Sequence, residues 1–128
     1  MAELSDRLIA DGRRFIQALD EAGVVSSAAL WLWSDTQRQW RYLLASPLVE
    51  PNQDMPVRIA AVLALMPAGF AVDRDNLQLY APDAEPVRSL QALIQTGPGV
   101  SAIRMTNNTI NGVHVGDAYV YRLNRKAG

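Results

Sequence analysis

Residues 28–46 read AALWLWSDTQRQWRYLLAS, and the way this stretch pairs with itself sets the architecture. It holds all three tryptophans of the chain, Trp31, Trp33 and Trp40. Read as a hairpin, it places Ser34 opposite Gln39 and leaves Asp35–Arg38 as a four-residue loop, a common hairpin length. Trp33 then faces Trp40, Trp31 faces Tyr42, and Ala29 faces Leu44. The opposite side of the ribbon carries Leu30 across from Leu43 and Leu32 across from Arg41. A slip of one residue would send every aromatic to the wrong face, so the register is strongly specified.

Both faces of this hairpin are apolar, and each needs a cover. A large aromatic side chain buries roughly 150–250 Å². At about 25 cal/mol/Å² each is worth about 4–6 kcal/mol gross. Core packing of Trp31, Trp33, Trp40 and Tyr42 is therefore the default expectation. The competing expectation is an interaction surface made by those four with Arg38 and Arg41, because Trp, Tyr and Arg dominate binding hot spots.

Upstream of the hairpin, Leu4–Ala22 predicts a helix. Leu4, Leu8, Phe15, Ile16 and Leu19 follow the 3.6-residue period. Gly12 falls on the same stripe, where it costs about 1 kcal/mol relative to alanine. The close approach of another backbone would account for it. Gly23 is placed to end the helix.

Downstream, Pro47 stops the second strand. Asp54 and Pro56 suit the start of a helix reaching Met66. That helix is apolar almost all round, which predicts burial on most sides. Pro67 and Gly69 terminate it. Leu77–Tyr80 reads as a short strand. Asp83 suits an N-cap, with Glu85 and Pro86 in the first turn of a further helix. Val87, Leu90, Leu93 and Ile94 form its apolar stripe, and Gly97-Pro98-Gly99 ends it. Ser101–Ile110 and Val113–Leu123 flank Asn111-Gly112, a strong hairpin signal. They predict Ile103 opposite Val120 and Met105 opposite Ala118. Gly116-Asp117 is the expected bulge.

The expected fold is thus one α+β domain over residues 1–128, of order α-β-β-α-β-α-β-β. A mixed five-stranded sheet packs with three helices. The two strand–helix–strand units imply parallel neighbours.

Composition narrows the function classes. Of 128 residues, 49% are hydrophobic and 20% charged, the balance of a globular chain rather than a disordered one. There is no cysteine, which removes disulfides, thiolate catalysis and cysteine-based metal sites. The net charge is −1, so no overall basic field recommends a nucleic acid as partner. Eleven of the twelve basic residues are arginine, a usage that fits a GC-rich bacterial genome. The N-terminus lacks an apolar signal core, and residues 59–72 are too short to span a bilayer. A cytoplasmic protein without a membrane partner is the expectation.

Chemistry-bearing residues are sparse. His114, the single histidine, stands beside the Asn-Gly turn, where an exposed loop-tip histidine is the economical reading. As a base it would need an orienting group such as Asp117 or Thr109. Asp73, Asp75, Asp83 and Glu85 could approach a hard cation, but no calcium-loop spacing is present, and a turn with a helix cap explains them. No serine lies in a nucleophile elbow. No catalytic residue, metal or cofactor is expected. Arg104, Tyr119, Tyr121, Arg122, Arg125 and Lys126 would make a small basic, aromatic patch on the last hairpin, a weak nucleic-acid site. Three readings result. The leading one is a non-catalytic protein-interaction or self-associating module, a homodimer being one form. The second is a small enzyme or ligand-binding domain with a pocket near His114, Asp117, Asp73 and Asp75. The third is a nucleic-acid binder through the last hairpin.

Overall fold

The computed structural model describes residues 4–34, 36–47, 57–82, 84, 87–93, 96, 100–105, 108–110, 113–115 and 117–123. The expected roles of Asp54, Pro56, Asp83, Glu85, Pro86, Ile94, the Gly97–Gly99 stop, the Asn111-Gly112 turn and Gly116 lie outside the described residues. So do Arg125, Lys126 and the side chains of Leu93 and His114.

The first helix, α1, spans Asp6–Glu21. Ser5 caps it, its side chain accepting the Leu8 amide at 3.2 Å. Gly23 ends it at φ +76°. The Gly23 amide donates to the Asp20 carbonyl and the Val24 amide to that of Leu19, the two bonds of a Schellman motif.

Strands β1 (Ala28–Ser34) and β2 (Gln39–Ala45) form the hairpin in the expected register, from Ala28 opposite Ala45 to Ser34 opposite Gln39. Helix α2 spans Val57–Ala64, β3 Leu77–Tyr80 and α3 Val87–Leu93. The last hairpin is divided. β4 (Ile103–Met105) pairs with β7 (Ala118–Leu123), while β5 (Asn108–Ile110) and β6 (Val113–Val115) form a two-stranded sheet of their own. Ile103 meets Val120 and Met105 meets Ala118, as the pattern predicts.

The five-stranded sheet runs β3-β2-β1-β7-β4. β2 and β3 are parallel across the α2 connection. The second expected parallel pair does not form: β4 lies at the opposite edge from β3 and is antiparallel to β7. The chain between β3 and β4 therefore crosses the width of the sheet, carrying α3 with it.

This crossing supplies the cover that the hairpin demands on its second face. One core unites α1 and α2 with Trp31, Tyr42, Leu44 and Tyr121. The other places Val87 and Leu90 of α3 against Leu30, Leu43, Val120 and Leu123. Among the described residues no helix is long and apolar enough to cross a membrane.

Helix α2 departs from expectation. It buries Ile59 and Val62, yet Val57 is 83% exposed and Leu65, just past its end, 81%. One side packs on α1 and the sheet, and no described element covers the other.

Candidate functional site

The aromatic face belongs to the core. Trp31 and Tyr42 have no exposed surface, Trp33 has 8% and Trp40 6%. The reason is α1, which lies across them. Trp31 Nε1–H donates to the Leu8 carbonyl (2.8 Å), Tyr42 Oη–H to that of Gly12 (2.9 Å) and Tyr121 Oη–H to that of Ile9 (2.6 Å). Three sheet side chains thus bond to carbonyls within about one turn of helix. Gly12 makes this approach feasible. A Cβ there would stand 2.5 Å from Trp31 Nε1 and closer still to Tyr121 Oη. The neighbour at Gly12 is a pair of side chains and not the backbone expected from sequence. Trp31 and Tyr42 also meet edge to face, with centroids 5.0 Å apart. Burial raises the pKa of both Tyr42 and Tyr121, since an enclosed phenolate loses its hydration.

An interaction surface made of Trp31, Trp33, Trp40 and Tyr42 is therefore corrected to a core. Of its expected companions, Arg38 is exposed at the hairpin loop with φ 54°. Arg41 stands on the other face, across from Leu32.

Two members of the basic, aromatic patch expected on the last hairpin are withdrawn from the surface. Tyr121 is buried, and Arg122 is 3% exposed. Arg122 donates to both Asp20 carboxylate oxygens (2.9 and 2.7 Å) and to Ser26 Oγ (3.0 Å). A bulge explains this placement. Ala29 pairs with Arg122 and Leu30 with Val120, so Tyr121 is the extra residue of β7. Tyr121 and Arg122 consequently both turn toward α1. Strict alternation would have sent Arg122 to the α3 face.

The acidic turn behaves as a turn. Asp73 Oδ1 accepts the amides of Asp75 (2.9 Å) and Asn76 (3.0 Å), and Asn76 Oδ1 accepts that of Asp73 (2.9 Å). Among the described residues no three His, Cys, Asp or Glu side chains converge for a metal ion.

Two concave features stand out among the described residues. The first is a groove of about 460 Å³ at the loop end of the hairpin, lined by Leu8, Trp33, Trp40, Arg38, Asp73 and Asp75 among others. Arg104 stands over Trp40, its guanidinium carbon 5.7 Å from the ring centre, and pairs with Asp117 at 3.3 Å. The Asp117 carbonyl accepts the Trp33 amide (2.9 Å). Three members of the expected pocket, Asp73, Asp75 and Asp117, thus gather around the Trp33–Trp40 pair. His114 lies in β6, and where its side chain goes is outside the described residues. The described lining offers carboxylates, a guanidinium and indoles, a set suited to holding a polar ligand.

The second is a cavity of about 400 Å³ beside the end of α2, walled by Ala60, Leu63, Met66, Phe70 and Val72, with Asp73 and Arg74 also lining it. It adjoins the outer stripe of α2. Val57, Ala61, Ala64 and Leu65 recur at helical spacing and are all exposed. The single charge of α2, Arg58, is also exposed and donates to the Ala22 carbonyl at 2.8 Å. Sequence patterning marks α2 as apolar almost all round and assigns most of its sides to the interior. Set against protein-family models, curated proteins and solved structures, the chain matches none.

Proposed function

We propose that this chain is a non-catalytic protein-interaction module that docks through the outer face of α2. One observation carries the reading: Val57 and Leu65 stand 83% and 81% exposed, with the exposed Ala61 and Ala64 between them. Fully burying one such side chain contributes roughly 1.5–3 kcal/mol. Exposed apolar side chains grouped on one helix face beside a cavity support a docking surface. The reading takes the protein as bacterial and cytoplasmic, with α1, α2 and α3 as its three helices.

The test is photo-crosslinking in the native host. A benzophenone side chain at position 61 yields a discrete protein adduct, and the same group at Gln17, on the exposed side of α1, yields none. Equal, diffuse labelling at both positions refutes the docking face.

A second reading, a small-ligand site at the hairpin groove, is favoured by the gathering of Asp73, Asp75 and Asp117 around Trp33 and Trp40. Titration with small amines such as agmatine would then change tryptophan emission saturably, and Asp75→Ala would abolish the change. A flat titration removes this reading.

A further inference from the structure

We infer that the partner on the α2 face is a second copy of this chain, held by a two-fold contact of α2 against α2. This inference rests on the docking reading above and deepens it.

Three features of the face are self-complementary. It carries a knob and a hole side by side: Leu65 projects 81% exposed, and the cavity of about 400 Å³ opens next to it. A two-fold axis puts each knob in reach of the other copy's hole, which satisfies both with one contact type. Ala61 and Ala64 are small and outward, so two helices can approach closely between the knobs. Finally, the cavity lining includes one acid and one base, Asp73 and Arg74. A two-fold contact can set the acid of one copy against the base of the other, whereas a face of one charge sign would repel itself.

Area argues that the cavity takes part. A standard interface takes about a tenth of a small protein's surface on each side. Of the 6936 Å² here, that is about 700 Å². Helix α2 has eight residues and is about 12 Å long, too short to supply this area alone. The segment that follows it, with Pro67, Phe70 and Arg74 around the cavity, must join the contact.

The absence of cysteine makes the test clean. Sedimentation velocity of the full chain from about 1 μM to about 1 mM shows a monomer–dimer equilibrium. Leu65→Asp weakens the dimer at least about tenfold and leaves the thermal melt of the monomer unchanged, because Leu65 is exposed there. In a two-fold contact, residues near the axis meet their own copies. Ala61→Cys or Ala64→Cys therefore gives a disulfide-linked dimer under mild oxidation, while Gln17→Cys does not. A strict monomer throughout that range, or a dimer indifferent to Leu65→Asp, overturns the inference. If the chain is monomeric but the crosslinker at position 61 captures a different protein, self-pairing fails and the docking face stands. If neither a dimer nor an adduct forms, both fail.

Discussion

Replacing Gly12 with alanine sets two physical effects against each other, and the structure decides between them. On helix propensity alone the change stabilises α1 by about 1 kcal/mol. The added methyl, however, would sit 2.5 Å from Trp31 Nε1 and closer to Tyr121 Oη, and both side chains are fully buried. To make room, α1 must lift from the sheet or the two rings must turn. Overpacking of this kind costs about 1–3 kcal/mol. Either movement also lengthens the bonds from Trp31 to the Leu8 carbonyl and from Tyr121 to the Ile9 carbonyl. A buried donor left without its acceptor costs about 1–3 kcal/mol. The carbonyls lose less, since each also serves the helix. Net of the propensity gain, Gly12→Ala is expected to destabilise by about 1–5 kcal/mol, a fall in Tm of about 4–20 °C for a domain of this size. Urea unfolding followed by far-UV circular dichroism and tryptophan emission measures it. Ala10→Gly, on the exposed side of the same helix, is the control and loses only about 1 kcal/mol. In a Tyr121→Phe background the nearest clashing atom is gone, so the Gly12→Ala penalty shrinks by at least about 0.5 kcal/mol. A Gly12→Ala protein as stable as the parent would refute the close seating of α1 on the aromatic face.

The other predictions concern single features. Tyr42 and Tyr121 have folded-state pKa values raised by burial, so their contribution to stability is intact below the unfolded-chain value of about 10 and is lost as pH rises above it. Stability then falls by about 1.4 kcal/mol per tyrosine per pH unit, and their tyrosinate absorbance at 295 nm emerges only with the loss of circular dichroism; ionisation of every tyrosine in the intact fold would contradict it. Asp20→Ala strips the bidentate partner from a guanidinium that is 4% exposed. Because Asp20 itself is 37% exposed, the loss is expected at about 1–3 kcal/mol by urea unfolding, below that of a fully buried pair. Arg38→Gly relieves a positive φ and is expected to raise the urea midpoint by up to about 1 kcal/mol of stability. A fall instead would mean that the Arg38 side chain holds the groove together.

How much was legible follows from which rule governs each residue. The hairpin register was open to reading because a one-residue slip inverts two apolar faces, and a local pattern carries that information in full. The pairing of Ile103 with Val120 was legible for the same reason. Arg122 was not. Its direction depends on Tyr121 being the extra residue of a bulge, and a bulge is set by the twist of β1 against β7, which no run of residues in β7 alone reports. The groove around Trp33 and Trp40 was half legible. Asp73, Asp75 and Asp117 were singled out by type, but their common neighbourhood arises because Asp117 ends β7 beside β1 and the acidic turn ends where β3 meets β2. Gly12 was recognised as a close approach, and only the identity of the neighbour needed three dimensions.

Helix α2 shows where pattern reading reaches its limit. Val57, Ile59, Ala61, Val62, Leu63 and Leu65 state what the helix would bury if it could. They do not state how much cover the rest of the chain can spare. Here the sheet has two apolar faces to satisfy. α1, with sixteen residues, lies over the centre of one, and α3 takes the other. α2 fits beside α1 and buries Ile59 and Val62 there, after which no described element remains to lie over it. The unmet demand is confined to one stripe, Val57 to Leu65, with a cavity at its end. An accidental surplus of apolar residues would be scattered among charges. This one runs at helical spacing, and the exposed arginine beside it, Arg58, is bonded to the Ala22 carbonyl at the end of the neighbouring helix. Alanine at 61 and 64 would let a second helix come close, as the proposed dimer requires.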